Sequence, residues 1–468
     1  MLFLPCAAGV EPLLLDEITP LLADLPLDVV SERGGVSVHP AHGAPTSRVP
    51  ADMPFDLQSE LSLAFLRATM LLNLHSRLAQ RVLWRVAIGS YVQEDHLYHL
   101  ARSVEWSDWI TPRNTLRVDV TARHSPVSSL NFAGLRIKDA VCDHLRDLHG
   151  ERPDVDTRHP DLSLLLHLDT EVAHLYVDTS GEALFKRGWR EDKGEAPLKE
   201  TLAAAMIAAS GWQGRAGDGA LLDPCCGSGT IAIEAAQIAC GIAAGLLRRF
   251  AFERLKPFQS QLPAWQQLKQ AAKARVHAPA VPIFAGDVSF RMTDFATRNA
   301  ERAGVLHAIE FKTADALQRT APASGGVLMF NPPYGERIAP KGTGHAGSSR
   351  SHRRPDQGDG HEARGGEGSH EERDAQRAVP AGREGFLEQD ASDFFTRLAS
   401  HWKRQFGGWT AWVLSPDMKL PSAMRLKESR RVVMFNGPIE CRLFRFDLVQ
   451  GSHRGQGDQA PSAEPPSA

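Results

Sequence analysis

Long apolar runs are missing from this sequence: no stretch approaches the roughly 20 residues that cross a bilayer. The opening "MLFLPCAAGVEPLLLDEI" carries Glu11, Asp16 and Glu17 where a signal peptide stays apolar, so no membrane partner and a cytoplasmic location are expected. Cysteine is scarce, with six in 468 residues. Cys6, Cys142, Cys225, Cys226, Cys240 and Cys441 include no pair at the spacing of a zinc knuckle, which predicts reduced, buried thiols and no metal. Charge of one sign is also lacking. A net charge of −3 removes any global signature of nucleic-acid binding, so such binding has to use a local patch. Finally, residues 341–385 contain one Val and no Leu, Ile, Met or aromatic residue. Nothing there offsets an ordering cost of about 1–2 kcal/mol per residue, and a disordered insertion is expected.

What remains is ample for folding. Hydrophobic residues make up 42% and charged residues 23% of the chain, and its length suggests about two to four units. Residues 1–66 mix a helical pattern (Leu13, Leu14, Ile18, Leu21, Leu22) with the strand "GGVSVHP" and a Pro-rich connector, "HGAPTSRVPADMP". Residues 67–180 interleave helical "ATMLLNLHSRLAQRVL" and "FAGLRIKDAVCDHLRDL" with the strands "TLRVDVTAR", "LSLLLHL" and "VAHLYVDTS". Residues 181–196, "GEALFKRGWREDKGEA", read as a charged linker. From 197 to 447 strand and helix alternate: "ALLD", "GTIAIEAAQIAC", "PIFAGD", "RMTDFATRNAERAG", "IEFKTAD", "VLMFN". That alternation predicts an α/β domain with a doubly wound parallel sheet. It ends on "RRVVMFNGPIECRLFRFDL", with Asn436-Gly437 as a hairpin signal. Residues 448–468 form a polar, Pro-rich tail.

Chemistry concentrates at the strand ends. In "LLDPCCGSGT" the chain leaves a buried strand at Asp223, passes Pro224, and turns at Gly227 and Gly229 into a helix. Neither glycine has a Cβ to keep a ligand from the backbone. Asp287 ends "PIFAGD", where a doubly wound nucleotide site places a carboxylate on ribose hydroxyls, and Asp315 ends "IEFKTAD", within reach of an adenine amine. Three acids at successive strand ends repel a pyrophosphate but suit a ligand with a cationic centre. That favours S-adenosylmethionine over a dinucleotide.

About a hundred residues on, "VLMFNPPY" is an apolar strand that stops at Asn331. Pro332 and Pro333 stiffen the chain, remove two N–H donors and leave carbonyls as the exposed polar groups. The Asn331 side-chain oxygen and the Pro332 carbonyl form an acceptor pair for a planar exocyclic amine, with Tyr334 to stack on its ring.

These segments together resemble a known family. "DPCCGSGTIAIEAA", "NPPYGER", "APLKETLAAAM", "FAGLRIKDAVCDHL", "RPDVDTRHPDL" and "LDTEVAHLYVDTSGEALFKRGWRE" are similar to the THUMP-domain class I methyltransferases, most closely the bacterial 23S rRNA guanine-N2 methyltransferases. The resemblance implies a ferredoxin-like segment (1–66), a THUMP RNA-binding domain (67–180) and a Rossmann-like methyltransferase domain (197–447) with a mostly parallel seven-stranded sheet. It places Asp223, Pro224, Gly227 and Gly229 on the methionine side of the cofactor, Asp287 on the ribose, Asp315 on the adenine, and Lys199 and Thr201 nearby. Asn331, Pro332, Pro333 and Tyr334 take the target guanine. Some relatives carry a second methyltransferase domain after this one; the sequence ends without it, so one activity is expected.

A guanine in structured RNA must leave its stack before its amine can react. Arg136, Lys138, Lys186, Arg187, Arg190 and Lys193 are the local basic candidates for phosphate contacts. The expected substrate is 23S rRNA or an immature large subunit. Alternatives are amino-methylation of a guanine or adenine in another RNA such as tRNA, methylation of a glutamine side chain, which a THUMP-like half argues against, and a non-enzymatic RNA-binding or ribosome-assembly factor.

Overall fold

The computed structural model describes residues 1–42, 59–194, 198–332 and 381–449, with side chains in the last segment from residue 393. The expected insertion lies outside these residues except for its last five positions. So do nearly all of the Pro-rich connector and all but two residues of the expected tail.

From the N-terminus run β1 (Leu2–Pro5), α1 (Glu11–Ile18), β2 (Leu27–Glu32), β3 (Gly35–Pro40) and α2 (Glu60–His75). They are followed by β4 (Leu83–Ser90), α3 (Glu94–Arg102), β5 (Thr115–Ala122), α4 (Leu130–His149), β6 (Asp154–Val155), β7 (Leu162–Leu168) and β8 (Val172–Asp178). All eight strands join one sheet in the order β2-β3-β1-β4-β8-β7-β5-β6. β4 is the seam, antiparallel to β1 on one side and to β8 on the other, and α2 runs across position 66. Leu162, Leu164, Leu166 and Leu168 of β7 are all buried, and each contributes about 1.5–3 kcal/mol by leaving water. α4 buries Ala133, Ile137, Ala140, Val141 and Leu145 at helical spacing, starts where Ser129 Oγ accepts the Phe132 N–H (3.2 Å), and ends at Gly150 with φ +75°.

One expected helix stops early. The pattern over 68–83 reads as continuous, yet α2 ends at His75 and Ser76 is extended. Glu17 of α1 takes over the backbone there, accepting N–H bonds from Arg77 (2.8 Å) and Leu78 (3.3 Å) and the Ser76 hydroxyl (2.7 Å). A partner about 60 residues away in sequence has outcompeted the next helical turn.

The second sheet is built from β9 (Ala220–Asp223), β10 (Ile283–Asp287), β11 (Ile309–Thr313), β12 (Gly326–Phe330), β13 (Thr410–Ser415), β14 (Arg430–Asn436) and β15 (Ile439–Asp447). Its helices are α5 (Glu200–Ser210), α6 (Thr230–Ala239), α7 (Leu262–Ala274), α8 (Phe290–Arg302), α9 (Ala381–Gln405) and α10 (Leu420–Met424). The order is β11-β10-β9-β12-β13-β15-β14, with β9 to β13 parallel and β15 antiparallel to both its neighbours. This is the Rossmann-like, mostly parallel seven-stranded arrangement. Asn436 pairs with Ile439 across a two-residue loop whose Gly437 has φ +63°. Successive strands step from β9 to β11 in one direction, and β12 then returns to the other side of β9. Ligands of open α/β sheets bind at the carboxyl ends of the strands at such a reversal.

Residues 181–194, expected to be linker, are packed instead. Leu184 and Trp189 are buried, and the Arg187 side chain is 1% exposed against Glu234 of α6, at 0%. Arg77, between α2 and β4, reaches the same carboxylate at 3.1 Å. Arg187 also donates to the carbonyls of Leu184 (2.8 Å) and Arg77 (2.7 Å). The charges that make this stretch look like surface are paired inside.

Candidate active site

β9 ends at Asp223, and the turn that follows is pinned to the tip of β10. The Cys226 N–H donates to the Gly286 carbonyl (2.7 Å) and the Gly227 N–H to Asp287 Oδ2 (3.0 Å). The two glycines differ in what they allow. Gly227 (φ +51°) has no described residue within 4 Å of where a Cβ would stand, which leaves its backbone approachable from that side among the described residues. Gly229 (φ +90°) has Ala296 of α8 at 3.0 Å from that point, so its missing Cβ serves the packing of α6 on α8.

Asp223 is 1% exposed. Its Oδ1 accepts the Cys225 N–H at 3.3 Å, while Oδ2 has no partner among the described residues. Burial, reinforced by the charge of Asp287, raises its carboxyl well above the usual range. A buried carboxylate oxygen without a donor is costly, and a cationic ligand group at that point would relieve the cost. Asp287, the last residue of β10, is also raised by burial, against the N–H bonds from Ser289 (2.9 Å) and Gly227. Asp315 stands two residues past β11, its Oδ1 accepting the Leu317 N–H at 2.9 Å. Burial and all three acids hold the Cys225 thiol far above its ordinary value, so it stays protonated.

Asn331 follows β12 directly and is half-buried; Pro332 is buried. β12 pairs with β9 (Leu328 beside Leu222), so β12 is the immediate neighbour of β9, and Asn331 lies two residues beyond the level of Asp223, about 8 Å from it by strand geometry. Pro333 and Tyr334 lie outside the described residues. Pro224 is buried in the turn, Lys199 is exposed with its ammonium 5.3 Å from the Phe185 ring centre, and Thr201 is buried in the first turn of α5.

The expected RNA contacts divide. Arg187 is corrected: it is buried and bonded throughout, with no surface to offer a phosphate. Arg190 is corrected too. Its side chain, 10% exposed, serves Glu200, Ser228 and Thr230. Arg136 pairs with Asp95 (2.6 Å), Lys138 with Asp139 (2.7 Å) and Lys186 with Glu182 (2.8 Å), while Lys193 is exposed. Solvent-accessible pairs of that kind are worth about 0–1 kcal/mol.

Two features were missed in the sequence. Glu200 is buried beside the glycine turn, and the signal was the apolar content of 181–196 (Leu184, Phe185, Trp189), which a free linker does not carry. Val288 and Phe290, flanking the loop after Asp287, are 73% and 75% exposed. Nothing in the sequence marks them as an open apolar edge. Among the described residues no group of three or more His, Cys, Asp or Glu is placed to hold a metal, and no helix is long and apolar enough to cross a membrane.

Comparison with known proteins fits this geometry. Residues 187–346 match the family described as RMKL-like, methyltransferase domain, and residues 91–178 match the THUMP domain. The chain is a THUMP protein with an RMKL-like methyltransferase domain. The match to the methyltransferase domain begins at Arg187 and so takes in the packed segment. A ribosomal RNA large subunit methyltransferase K/L from Shewanella baltica (strain OS185) is 35% identical over 388 residues, covering 82% of this chain and 48% of the relative. The protein of the same name from Shewanella oneidensis is 34% identical, with 82% and 47% covered. The chain thus spans about half the length of the curated relatives it matches. Among solved structures, SMU.472 in complex with SAH superposes with a TM-score of 0.71 at 22% identity, covering 95% of this chain and 97% of that one. A protein from Listeria monocytogenes, described as a predicted N6-adenine-specific DNA methylase, gives 0.70 at 23% identity, with 95% of each chain covered. Both share the fold of the THUMP protein along almost its whole length.

Proposed function

We propose that the chain transfers a methyl group from S-adenosylmethionine to the exocyclic N2 amine of a guanine in 23S rRNA, free or within an immature large subunit. The observation that carries this reading is the buried Oδ2 of Asp223, which has no partner among the described residues, at the strand reversal and beside a glycine whose Cβ position meets no described residue. The large-subunit rRNA methyltransferases among the relatives, and the SAH bound to a structure of the same fold, support it.

When bound, the cofactor supplies an electrophilic methyl on a sulfonium. Asp223 would meet its cationic methionine end, Gly227 would leave room for it, Asp287 would accept from the ribose hydroxyls and Asp315 from the adenine amine, and the exposed Val288 and Phe290 would offer an apolar edge to the ring. Pro224, Gly229, Lys199 and Thr201 frame that pocket. The Asn331 side-chain oxygen and the Pro332 carbonyl accept the two amine hydrogens, with Pro333 and Tyr334 completing the grip on the base. Such acceptors favour a more tetrahedral nitrogen and aim its lone pair at the methyl, which reduces the penalty of an amine conjugated to the ring. No covalent enzyme intermediate is needed. Unstacking the guanine costs a few kcal/mol, and Arg136, Lys138, Lys186 and Lys193 contribute binding energy through phosphates.

The test incubates the purified chain with methyl-labelled S-adenosylmethionine and 23S rRNA, tRNA or total RNA, and maps the modified base. Label on guanine N2 of 23S rRNA is expected. Label on an adenine, or on tRNA alone, replaces the target; absence of SAH binding removes the cofactor reading altogether.

A further inference from the structure

The residues around Ser228 form a clamp. Arg190 donates from Nε to Glu200 (2.7 Å), from Nη1 to the Ser228 hydroxyl (2.7 Å), and from Nη2 to the Thr230 hydroxyl (2.7 Å) and the Leu198 carbonyl (3.4 Å). Its guanidinium lies 4.9 Å above the Trp189 ring. From the opposite side, Asn299 of α8 donates to the Ser228 carbonyl (3.0 Å) and the Asp192 carbonyl (3.0 Å), while accepting N–H bonds from Glu191 and Asp192 (3.3 Å each). Arg302 closes the group, donating to the Trp189 carbonyl (3.0 Å) and Asp192 (2.6 Å).

Ser228 is the one residue between two glycines of positive φ, and Thr230 is the first residue of α6. A Gly-Ser-Gly segment has little conformational preference of its own. The planar fork of Arg190 fixes its side-chain end and Asn299 fixes its carbonyl end.

We propose that Arg190 is a positioning residue for the cofactor: by holding Ser228 and Thr230 it keeps the bare Gly227 backbone presented to the methionine end of S-adenosylmethionine. The proposal rests on the reading of this turn as the cofactor site. With its guanidinium bonded to Glu200, Ser228, Leu198 and Thr230, Arg190 acts through the turn.

Two variants of the full chain test it. Arg190→Lys keeps a cation beside Glu200 but cannot serve acceptors on separate edges of a fork. The double variant Ser228→Ala/Thr230→Val removes the arms toward the turn and leaves the Arg190–Glu200 pair intact. SAH and adenosine are titrated calorimetrically against each. SAH affinity should fall by at least about 10-fold in Arg190→Lys and about 5-fold in the double variant. Adenosine, which lacks the methionine end, should bind within about 2-fold of wild type in both. Equal loss for both ligands marks a merely structural role and overturns the proposal, as does unchanged SAH binding in both variants. A wild-type chain that binds no SAH removes the cofactor reading itself, a failure distinguishable from either.

Discussion

At the residue scale, Asp223 decides the electrostatics. Its folded pKa is raised by burial and by Asp287, so the folded chain holds a proton that the unfolded chain releases near pH 4. The stability from this group is therefore complete below the unfolded pKa and is lost as pH rises through the folded value. Thermal melts of the ligand-free protein should show that decline, and Asp223→Asn should flatten it. Affinity for the cationic end of SAH should climb over the same window, since only the ionised carboxylate pairs with it; a titration series showing no climb would remove Asp223 from the methionine side. Asn331 belongs to the other half of the reaction. Asn331→Ala should abolish methyl transfer while SAH affinity stays within a few fold, and loss of SAH binding with normal turnover per bound cofactor would contradict the assigned role.

At the scale of elements, Gly227 and Gly229, two residues apart in one turn, separate binding from packing. Alanine at Gly227 meets no described residue and costs about 1–2 kcal/mol for its left-handed φ, yet it fills the space proposed for the ligand. Alanine at Gly229 pays the same and also strikes Ala296 at 3.0 Å, which adds about 1–3 kcal/mol of overpacking. Urea melts should rank Gly229→Ala as the less stable of the two. SAH titration should show the larger affinity loss relative to stability at Gly227. Elements of this kind were readable in advance: β9, β10 and β12 appear in the sequence as apolar runs ending in Asp223, Asp287 and Asn331, because strand, turn and helix periodicities are local. The end of α2 was not, since the competitor for its backbone is Glu17. Nor was the packed segment near 181–194, whose charges carry no mark of being paired inside.

At the scale of the molecule, the halves meet at Glu234, a carboxylate with no exposure that takes Arg77 from the loop between α2 and β4 and Arg187 from the crossing segment. Removing it strands two cations, one of them fully buried. Glu234→Ala should cost about 3–5 kcal/mol in urea denaturation, whereas Glu234→Leu with Arg187→Met should recover much of the loss, because well-packed apolar groups replace buried pairs at little cost. Recovery of nothing would show that Arg77 alone carries the junction.

By itself the sequence determined where strands end, which residues cap them, and that an acid-lined glycine turn and an Asn-Pro-Pro stretch belong to one parallel sheet, for these follow from short-range pattern and backbone sterics. Only the tertiary structure decided which charges are surface and which are structural. Arg187 and Lys186 adjoin in the chain and look alike in composition, yet one is sealed against Glu234 and the other stands in water. The environment of a charge is made by residues distant in sequence, and burial is what turns the same guanidinium from a ligand for RNA into a bolt between domains.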